Sequence, residues 1–341
     1  MAQSDTAVTA ERRQLMDMIF NCWGMQAVGE AARLGIADQL TGGPKSSDEL
    51  AAATGANPDA LYRLLRSCAS VGVFTEHEGR RFSMNKLAES LRTDISGSLR
   101  DFVIAQLAPA QWLPWNHIHE AVMTGAPITK KALGMEIWDY YAKNAEEGAQ
   151  FARAMGNVSA MVSADVVRLY DVTPFKKIVD VGGSQGALLR AMVRAAPNAR
   201  GILLDLPNVI ERARPVIAKE GLADRIEPIG GDFFKDVPAG ADLYAIKSVL
   251  HDWGDEQCET ILRNCHRAAP PGGRLLVVDM ILPTKPPPSS LASVDLKVLM
   301  LLGGRERTEA EMVGLLTRTG WRVERIIPMP ELYSIVDAVR V

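Results

Sequence analysis

The sequence predicts an α/β protein in which a mostly parallel sheet, covered by helices on both faces, follows a separate helical domain. From residue 177 onward, apolar strand-like runs alternate with amphipathic helical runs, as in a parallel sheet with crossover helices. The last two strands, 321–327 and 333–340, are joined by a proline-containing turn with no room for a helix, so the last strand must be antiparallel. We therefore predict seven strands, the last of them antiparallel.

The first strand of this sheet carries the most specific local signal. It ends in Asp180, and a glycine turn at 182–186 follows, then a helix at 187–196. A second strand, 201–204, ends in Asp205. Glycine lets a ligand approach the backbone, the helix start offers free N–H groups, and an acid at the tip of the next strand can accept hydrogen bonds from a ribose diol. The segment predicts a nucleoside-bearing ligand.

Composition excludes several classes of protein. Of the 341 residues, 47% are hydrophobic and 23% are charged, which is typical of a globular protein with an ample core. The formal net charge of −3 argues against nucleic-acid binding as the main activity. We expect no membrane partner and a cytoplasmic location, because no signal segment and no long apolar run stand out. The four cysteines are too few and too scattered for a disulfide framework or a zinc site.

The N-terminal half predicts a helical domain that contains a winged helix. Helical spacing covers 15–40, and a second helix begins at Ser46-Ser47 with the spacing of a capping box. A third helix, 60–71, precedes a small hairpin of strands 73–75 and 81–83. Two short helices and a hairpin of this kind can bind DNA, so a transcription regulator is one hypothesis.

Charge argues against DNA binding by this unit. Residues 1–165 contain 15 Lys and Arg against 19 Asp and Glu, a net charge of −4. Without a basic face, the counterion release that provides most DNA affinity is largely missing. We therefore predict a winged-helix dimerisation domain over 1–165, a catalytic domain over 166–341, and no nucleic-acid partner.

Two long helices are expected beyond the hairpin, over 94–124 and 137–170. His117 and His119 lie two positions apart, so on a helix they point in different directions. A facing pair of metal ligands needs a spacing of three or four, and we predict no metal site there.

The motifs of the C-terminal half occur in an order that is specific. The turn DVGGSQG is led by an acid, unlike the G-x-G-x-x-G turn of dinucleotide-binding proteins, and resembles motif I of the class I methyltransferases. It is followed by LLDLP, GGDFF, KSVLHDWGDEQC, PPGGRLLVVDMILP and LMLLGGRERT. Nearly the whole chain resembles the dimeric small-molecule O-methyltransferases related to plant caffeic acid, hydroxyindole and bacterial polyketide enzymes. That resemblance implies a Rossmann-like class I methyltransferase sheet and a homodimer formed through the N-terminal domain.

The same resemblance implies a cofactor and the residues that hold it. The cofactor would be S-adenosylmethionine (SAM), with S-adenosylhomocysteine as product and no metal. By analogy, the glycine turn carries the methionine end, Asp205 binds the ribose hydroxyls, and Asp232 bonds the adenine amino group while Phe233 packs on the ring. The implied cofactor contacts are Ser159, Gly182, Gly183, Gly186, Asp205, Asp232, Phe233 and Lys247.

His251 aligns with the general base of these enzymes, and Asp279 and Glu306 align with the acids beside it. Methyl transfer from a sulfonium needs no metal, but it needs a nucleophile. A phenol has a pKa near 10, and an imidazole that takes its proton contributes roughly 10² to 10⁴ in rate. A neighbouring acid would hold the ring tautomer and offset its charge. We interpret Asp252 as the N-cap or a turn residue of the next helix.

Two positions depart from the family pattern. Ser184 stands where many relatives have a third glycine, so the loop can differ there. Asp279 stands where the plant members have glutamate and is one methylene shorter. Glu306 is therefore the preferred partner of His251.

The sequence indicates a small aromatic substrate without naming it. The apolar stretch before Gly303 and the helix over 151–161 suit a flat ring. The candidate pocket residues are Met155, Trp253 and Met300, with plain core as the alternative for Trp253. By resemblance, the partner's N-terminal helix would help to close the pocket.

The best hypothesis is SAM-dependent O-methylation of a phenolic hydroxyl on a specialised metabolite. Two alternatives stay open at this point. Some relatives use the same fold and cofactor for hydroxylation, decarboxylation or pericyclic chemistry, and the same site could methylate nitrogen.

Overall fold

A computed structural model describes residues 2–283, 285, 289–330 and 332–341 of the chain. The chain forms two compact units, one made of Met1–Leu113 and Trp138–Val158, the other of Pro114–Ile137 and Ser159–Val341. The functional division of the chain at residue 165 stays a prediction. Within the described ranges, no helix is both long and apolar enough to cross a lipid bilayer.

Helices and strands are numbered separately from the N-terminus. The helices are α1 (Ala2–Arg33), α2 (Ile36–Gln39), α3 (Ser47–Thr54), α4 (Pro58–Ser70), α5 (Lys86–Glu89), α6 (Arg100–Gln106), α7 (Pro109–Trp112), α8 (Ile118–Thr124), α9 (Thr129–Leu133), α10 (Ile137–Lys143), α11 (Ala145–Leu169), α12 (Ala187–Ala195), α13 (Pro207–Lys219), α14 (Asp255–Ala268), α15 (Ser289–Leu302) and α16 (Glu309–Arg318). The strands are β1 (Lys45–Ser46), β2 (Thr75–His77), β3 (Arg81–Ser83), β4 (Lys177–Val181), β5 (Arg200–Asp205), β6 (Ile226–Gly230), β7 (Leu243–Lys247), β8 (Arg274–Leu282), β9 (Arg307–Thr308), β10 (Trp321–Pro328) and β11 (Tyr333–Arg340).

The predicted winged helix is present in the first unit. The capping box that starts α3 is formed: Glu49 donates its N–H to the Ser46 hydroxyl at 3.1 Å, and its carboxylate accepts the Ser46 N–H at 2.6 Å. The Asn57 side chain caps α4 by accepting the N–H of Ala60 at 3.0 Å. β1, β3 and β2 pair antiparallel in that order beside these helices. Leu50 and Leu65, both fully buried, belong to the apolar core of this unit.

The two long helices expected over 94–124 and 137–170 are wrong in detail. The first is broken into α6, α7, a 3-10 turn and α8. Pro109 begins α7, and Pro114 lies in the 3-10 turn Leu113–His117, because proline has no N–H to continue a helix. The second is interrupted at Asn144, whose backbone N–H and side-chain amide both donate to the Tyr140 carbonyl, at 2.8 and 2.9 Å.

The large sheet has the predicted mixed topology. The order is β10-β11-β8-β7-β4-β5-β6. The five strands β4 to β8 all run parallel to one another. β11 is antiparallel to both β8 and β10, so the reversed strand lies inside the sheet and not at its edge. The short β9 pairs with the far end of β8.

Parallel pairing brings the candidate functional residues to one edge of the sheet. β5 ends at Asp205 and β7 ends at Lys247, while the glycine turn follows β4. His251 follows β7 in a 3-10 turn, and Asp279 lies toward the end of β8. The carboxyl edge of such a sheet is where α/β proteins bind ligands.

Candidate active site

The glycine turn after β4 has the geometry that only glycine tolerates. Gly182 and Gly186 have φ angles of +71° and +74°. A Cβ on Gly183 would lie 2.4 Å from a carboxylate oxygen of Asp180, and one on Gly182 would lie 2.9 Å from Val249. The turn therefore packs so closely on the residues around it that a side chain at either position would displace them.

Ser184 has a φ of +54°, in the left-handed region, which its sequence context did not indicate. The Ser184 N–H donates to Asp205 at 2.8 Å, and the Leu206 N–H donates to the other carboxylate oxygen at 2.7 Å. Burial raises the pKa of Asp205, and these two backbone hydrogen bonds act against that rise. Each oxygen keeps a further lone pair that a ribose hydroxyl could use.

Behind the turn lies a second buried acid. Asp180 is fully buried, and burial raises its pKa to about 6. One carboxylate oxygen accepts the Leu189 N–H at 3.3 Å, and the other has no hydrogen-bond partner among the described residues. Burial lowers the pKa of the nearby Lys247 ammonium, which the carboxylates of Asp180 and Asp279 counteract. Lys247 therefore lies in the field of two buried acids.

The segment after β6 lies against the same turn. The carboxylate of Asp232 accepts the N–H of Phe234 at 3.0 Å. The Phe233 ring reaches the glycine turn, where a Cβ on Gly182 would lie 3.3 Å from it. The ring of Phe234 lies edge-on to Trp253 at 4.9 Å. Phe233 thus lies beside the glycine turn, and the roles of Asp232 and Phe233 in an adenine site stay predictions.

His251, Glu306 and Asp279 form a second cluster. His251 Nδ1 lies 2.9 Å from Glu306 Oε1 and 3.9 Å from Asp279 Oδ1. The side chains of Glu306 and Asp279 are 0% and 2% exposed, whereas that of His251 is 16% exposed. Glu306, and not Asp279, is therefore in hydrogen-bond contact with the ring.

Two further acids of this cluster were missed by sequence reasoning. Asp252 Oδ1 lies 3.3 Å from His251 Nε2, on the opposite side of the ring from Glu306. Of the two interpretations of Asp252, the N-cap is wrong, because Gly254 is the N-cap of α14, and the turn residue is confirmed, because Asp252 belongs to the 3-10 turn before that helix. Asp295 accepts the Glu306 N–H at 2.8 Å and so fixes the backbone that carries Glu306. The sequence offered one signal for Asp295, namely an acid within the otherwise mostly apolar helix α15.

The carboxylates of this cluster raise the pKa of His251 by more than burial lowers it. Burial lowers the pKa of His251, but the carboxylates of Asp279, Glu306 and Asp252 outweigh it and raise that pKa to about 10. Burial raises the pKa of Asp279 to about 7. Both oxygens of Asp279 and one of Glu306 have no hydrogen-bond partner within the described part of the chain. The site can thus bind and exchange protons.

The same three side chains have the spacing of a metal site. His251, Asp279 and Glu306 each offer a ligand atom, and these atoms lie within 4.8 Å of one another. The chemistry of the donor set therefore fits a divalent cation as well as a proton. The expectation that the protein uses no metal stays a prediction.

The candidate pocket residues have different surroundings. Trp253 is half-buried and packs on Phe234. Met300 is 1% exposed and packs in a small apolar cluster with Ile128. Met155 and Ser159 lie one turn apart on α11 and are both half-buried. Their roles in binding substrate or cofactor stay predictions.

Comparison with known proteins identifies the family. A model described as an O-methyltransferase domain matches residues 115–322, and one for an O-methyltransferase dimerisation domain matches residues 16–94. A phenazine O-methyltransferase of Lysobacter antibioticus is 41% identical over 324 residues, which cover 95% of each chain.

Solved structures agree with these matches. The structure of a mitomycin 7-O-methyltransferase has a TM-score of 0.90 and 38% identity and covers 98% of this chain and 99% of its own. An O-methyltransferase from neocarzinostatin biosynthesis, solved with SAM and 2-hydroxy-5-methyl naphthoic acid, has a TM-score of 0.79 and 31% identity over 93% of this chain and 96% of its own. The predicted fold class and SAM cofactor are confirmed. The chain belongs to the family of SAM-dependent small-molecule O-methyltransferases.

Proposed function

We propose that the protein methylates a phenolic hydroxyl of a small aromatic metabolite and that His251 is the general base. The observation that carries this proposal is the largely buried imidazole, bonded through Nδ1 to the fully buried Glu306 at 2.9 Å. The other ring nitrogen, Nε2, lies 3.3 Å from Asp252 Oδ1 and is the atom that would take a substrate proton. The acids around it stabilise the imidazolium that forms when the proton arrives.

The residues at the carboxyl edge of the sheet fit the cofactor. The turn at Gly182 and Gly183 has no room for a Cβ, and the Asp180 carboxylate behind it has an unpartnered buried oxygen. Asp205 and Asp232 offer acceptors for a ribose and an adenine amino group. SAM supplies a methyl group activated by a sulfonium. The work left to the chain is to orient the hydroxyl in line with that group and to take its proton.

The pKa of His251 suits a phenol. The acids raise it to about 10, and a phenol has a pKa near 10. Matched pKa values let a proton pass from the hydroxyl to the imidazole at little cost. Below that pH the ring already carries its proton in the absence of substrate. Turnover then requires either that the ring lose this proton or that the substrate arrive as phenolate, and both routes become more frequent as the pH rises.

N-methylation is the second candidate function, because some relatives are named as N-methyltransferases. A phenazine-1-carboxylate N-methyltransferase of Pseudomonas aeruginosa is 31% identical over 333 residues. A neutral amine needs its proton removed less urgently than a phenol. The dependence of turnover on His251 therefore distinguishes the two activities.

The first experiment is incubation of the protein with methyl-labelled SAM and a panel of hydroxylated and aminated aromatics, followed by mass spectrometry. With a phenolic substrate, His251→Ala should lower kcat by about 10² or more, because no group then takes the proton. The exposed His77, whose ring lies 2.7 Å from the Ser83 hydroxyl in the wing, provides the control variant His77→Ala. Unchanged turnover in His251→Ala would remove His251 from the mechanism, and labelling of amines alone would favour N-methylation.

The pH profile tests the role of Glu306. In the wild type, kcat/KM should rise from pH 7 toward pH 10, because the fraction of neutral imidazole rises. Glu306→Gln removes one of the carboxylates that raise the pKa of His251, so the rise should move to lower pH. Glu309→Gln, at the start of α16, is the matched control. Superimposable profiles for Glu306→Gln and the wild type would contradict the proposed pairing.

Asp205→Asn tests the ribose contact. The substitution keeps the size of the side chain but removes the negative charge that accepts hydrogen bonds, and an amide group would face one of the two N–H donors. We expect SAM affinity, measured by calorimetry, to fall at least about tenfold, since each bond to a charged acceptor contributes about 1.5–3 kcal/mol. The control is Asp224→Asn, near the opposite edge of the sheet. Equal affinities would place the ribose elsewhere.

We infer that the protein is a homodimer joined through α1. This helix leaves an apolar face in solvent: Met18 is 66%, Trp23 64% and Ile19 54% exposed. Contiguous apolar surface of this kind marks an interaction site, and the dimerisation-domain match covers the same residues.

Light scattering after gel filtration tests the dimer. Met18→Glu with Trp23→Glu should convert a dimer into a monomer, because two buried carboxylates would be unpaired at the interface. Met123→Glu changes a methionine that is 70% exposed on α8 and serves as the control. A wild-type monomer, or a dimer that survives both charges on α1, would contradict the inference.

A further inference from the structure

Arg307 is almost completely buried beneath the turn that carries His251. Its side chain is 1% exposed. One guanidinium nitrogen, Nη1, donates to the Leu250 carbonyl at 2.9 Å, and Nη2 donates to the Trp253 carbonyl at 3.0 Å. These two carbonyls flank His251 in the chain. The guanidinium therefore binds the main chain just before and just after His251.

The same guanidinium connects the turn to α14. Nε and Nη2 of Arg307 both lie within 3.1 Å of Asp255 Oδ1, at the first residue of that helix. The backbone of Arg307 belongs to β9, which pairs with β8 at Ile281. Arg307 thus links three elements around His251: the end of β8, the 3-10 turn and the start of α14.

The residues just before Arg307 contact the same turn through the backbone. The Arg305 N–H donates to the His251 carbonyl at 2.9 Å. A Cβ on Gly304 would lie 2.0 Å from that carbonyl oxygen and 2.6 Å from the Asp252 carbonyl carbon. Only glycine lets the two backbones approach so closely. The segment 304–307 therefore holds both the ring, through Glu306, and the main chain that carries it.

The turn needs such support because its start is strained. Ser248, three residues before His251, has a φ of +53°, which is costly for a residue with a side chain. Strained backbone of this kind persists only where the surroundings hold it. Ser248 itself is held by β8, because its N–H donates to the Val278 carbonyl at 3.0 Å. The four hydrogen bonds from the Arg307 guanidinium to oxygens of residues 250, 253 and 255 hold the segment that follows it.

We propose that Arg307 is a positioning residue for methyl transfer, which fixes the main chain around His251 so that the imidazole meets both Glu306 and the substrate hydroxyl. The proposal rests on the proposed role of His251 as the base. A lysine cannot replace this arginine, because a single ammonium cannot bridge two carbonyls and a carboxylate in one plane.

Two variants and two matched controls test the proposal. Arg307→Lys keeps the charge and loses the planar fork, and Gly304→Ala displaces the turn through its main chain. Both should lower kcat by about tenfold or more, since a small misplacement of a catalytic group is costly. KM for the substrate and SAM affinity should stay within about twofold. Arg263→Lys alters an exposed arginine that pairs with Glu259 on α14, and Gly314→Ala alters a helical glycine near the flexible end of Arg318; both should keep wild-type turnover.

Combination with His251→Ala separates positioning from general stability. If Arg307 acts through the base, Arg307→Lys should cost nothing further in the His251→Ala background, whereas independent effects would multiply. Thermal unfolding shows which variants fold, and Gly304→Ala provides the same comparison if Arg307→Lys does not. Multiplied losses, or a loss confined to KM, would overturn the role of Arg307 alone. Full turnover in His251→Ala would instead overturn the proposed base.

Discussion

The site depends on one buried hydrogen bond, between Nδ1 of His251 and the carboxylate of Glu306. Neither partner lies in a long helix or strand. His251 belongs to a short 3-10 turn after β7, and Glu306 directly precedes β9. Their approach to 2.9 Å is set by neighbours. Asp295 holds the Glu306 backbone, and the pairing of β9 with β8 brings that backbone to the edge of the sheet. The geometry of this cluster is therefore a property of the sheet edge as a whole.

Charge is unevenly distributed around this bond. Three carboxylates surround the imidazole of His251. The nearby Lys247 ammonium interacts electrostatically with the carboxylates of Asp180 and Asp279. Burial raises the pKa of Asp279, and the carboxylates raise the pKa of His251, so both keep protons that free side chains would release more readily. The unpartnered oxygens of Asp279 lie where water is largely excluded. An arrangement that is costly for folding is thus retained at the candidate active site, where perturbed pKa values are common.

Much of this architecture could be predicted from the sequence, because it follows from local patterns. Strand and helix periodicity, together with the positions of acids, glycines and prolines, predicted three features: the acid-led glycine turn, the acid at the end of β5 and the closing hairpin. The breaks at Pro109 and Asn144 were missed because helical periodicity continues across them. The left-handed backbone of Ser184 and the contact of Asp252 with Nε2 are set by packing from distant segments. Arg307 shows the limit most clearly, since its flanking position beside Glu306 gave no sign that its side chain turns inward.

The position of β11 inside the sheet has a consequence for synthesis of the chain. β8 ends at Leu282 and its antiparallel neighbour begins at Tyr333, about 50 residues later. At ~5–20 residues per second, a ribosome needs roughly 3–10 s to produce that neighbour. For this time the edge of β8 that β11 will cover has unpaired backbone groups along an apolar strand. Unpaired strand edges of this kind are templates for pairing with another chain, so the long separation between β8 and β11 prolongs the exposure of such an edge.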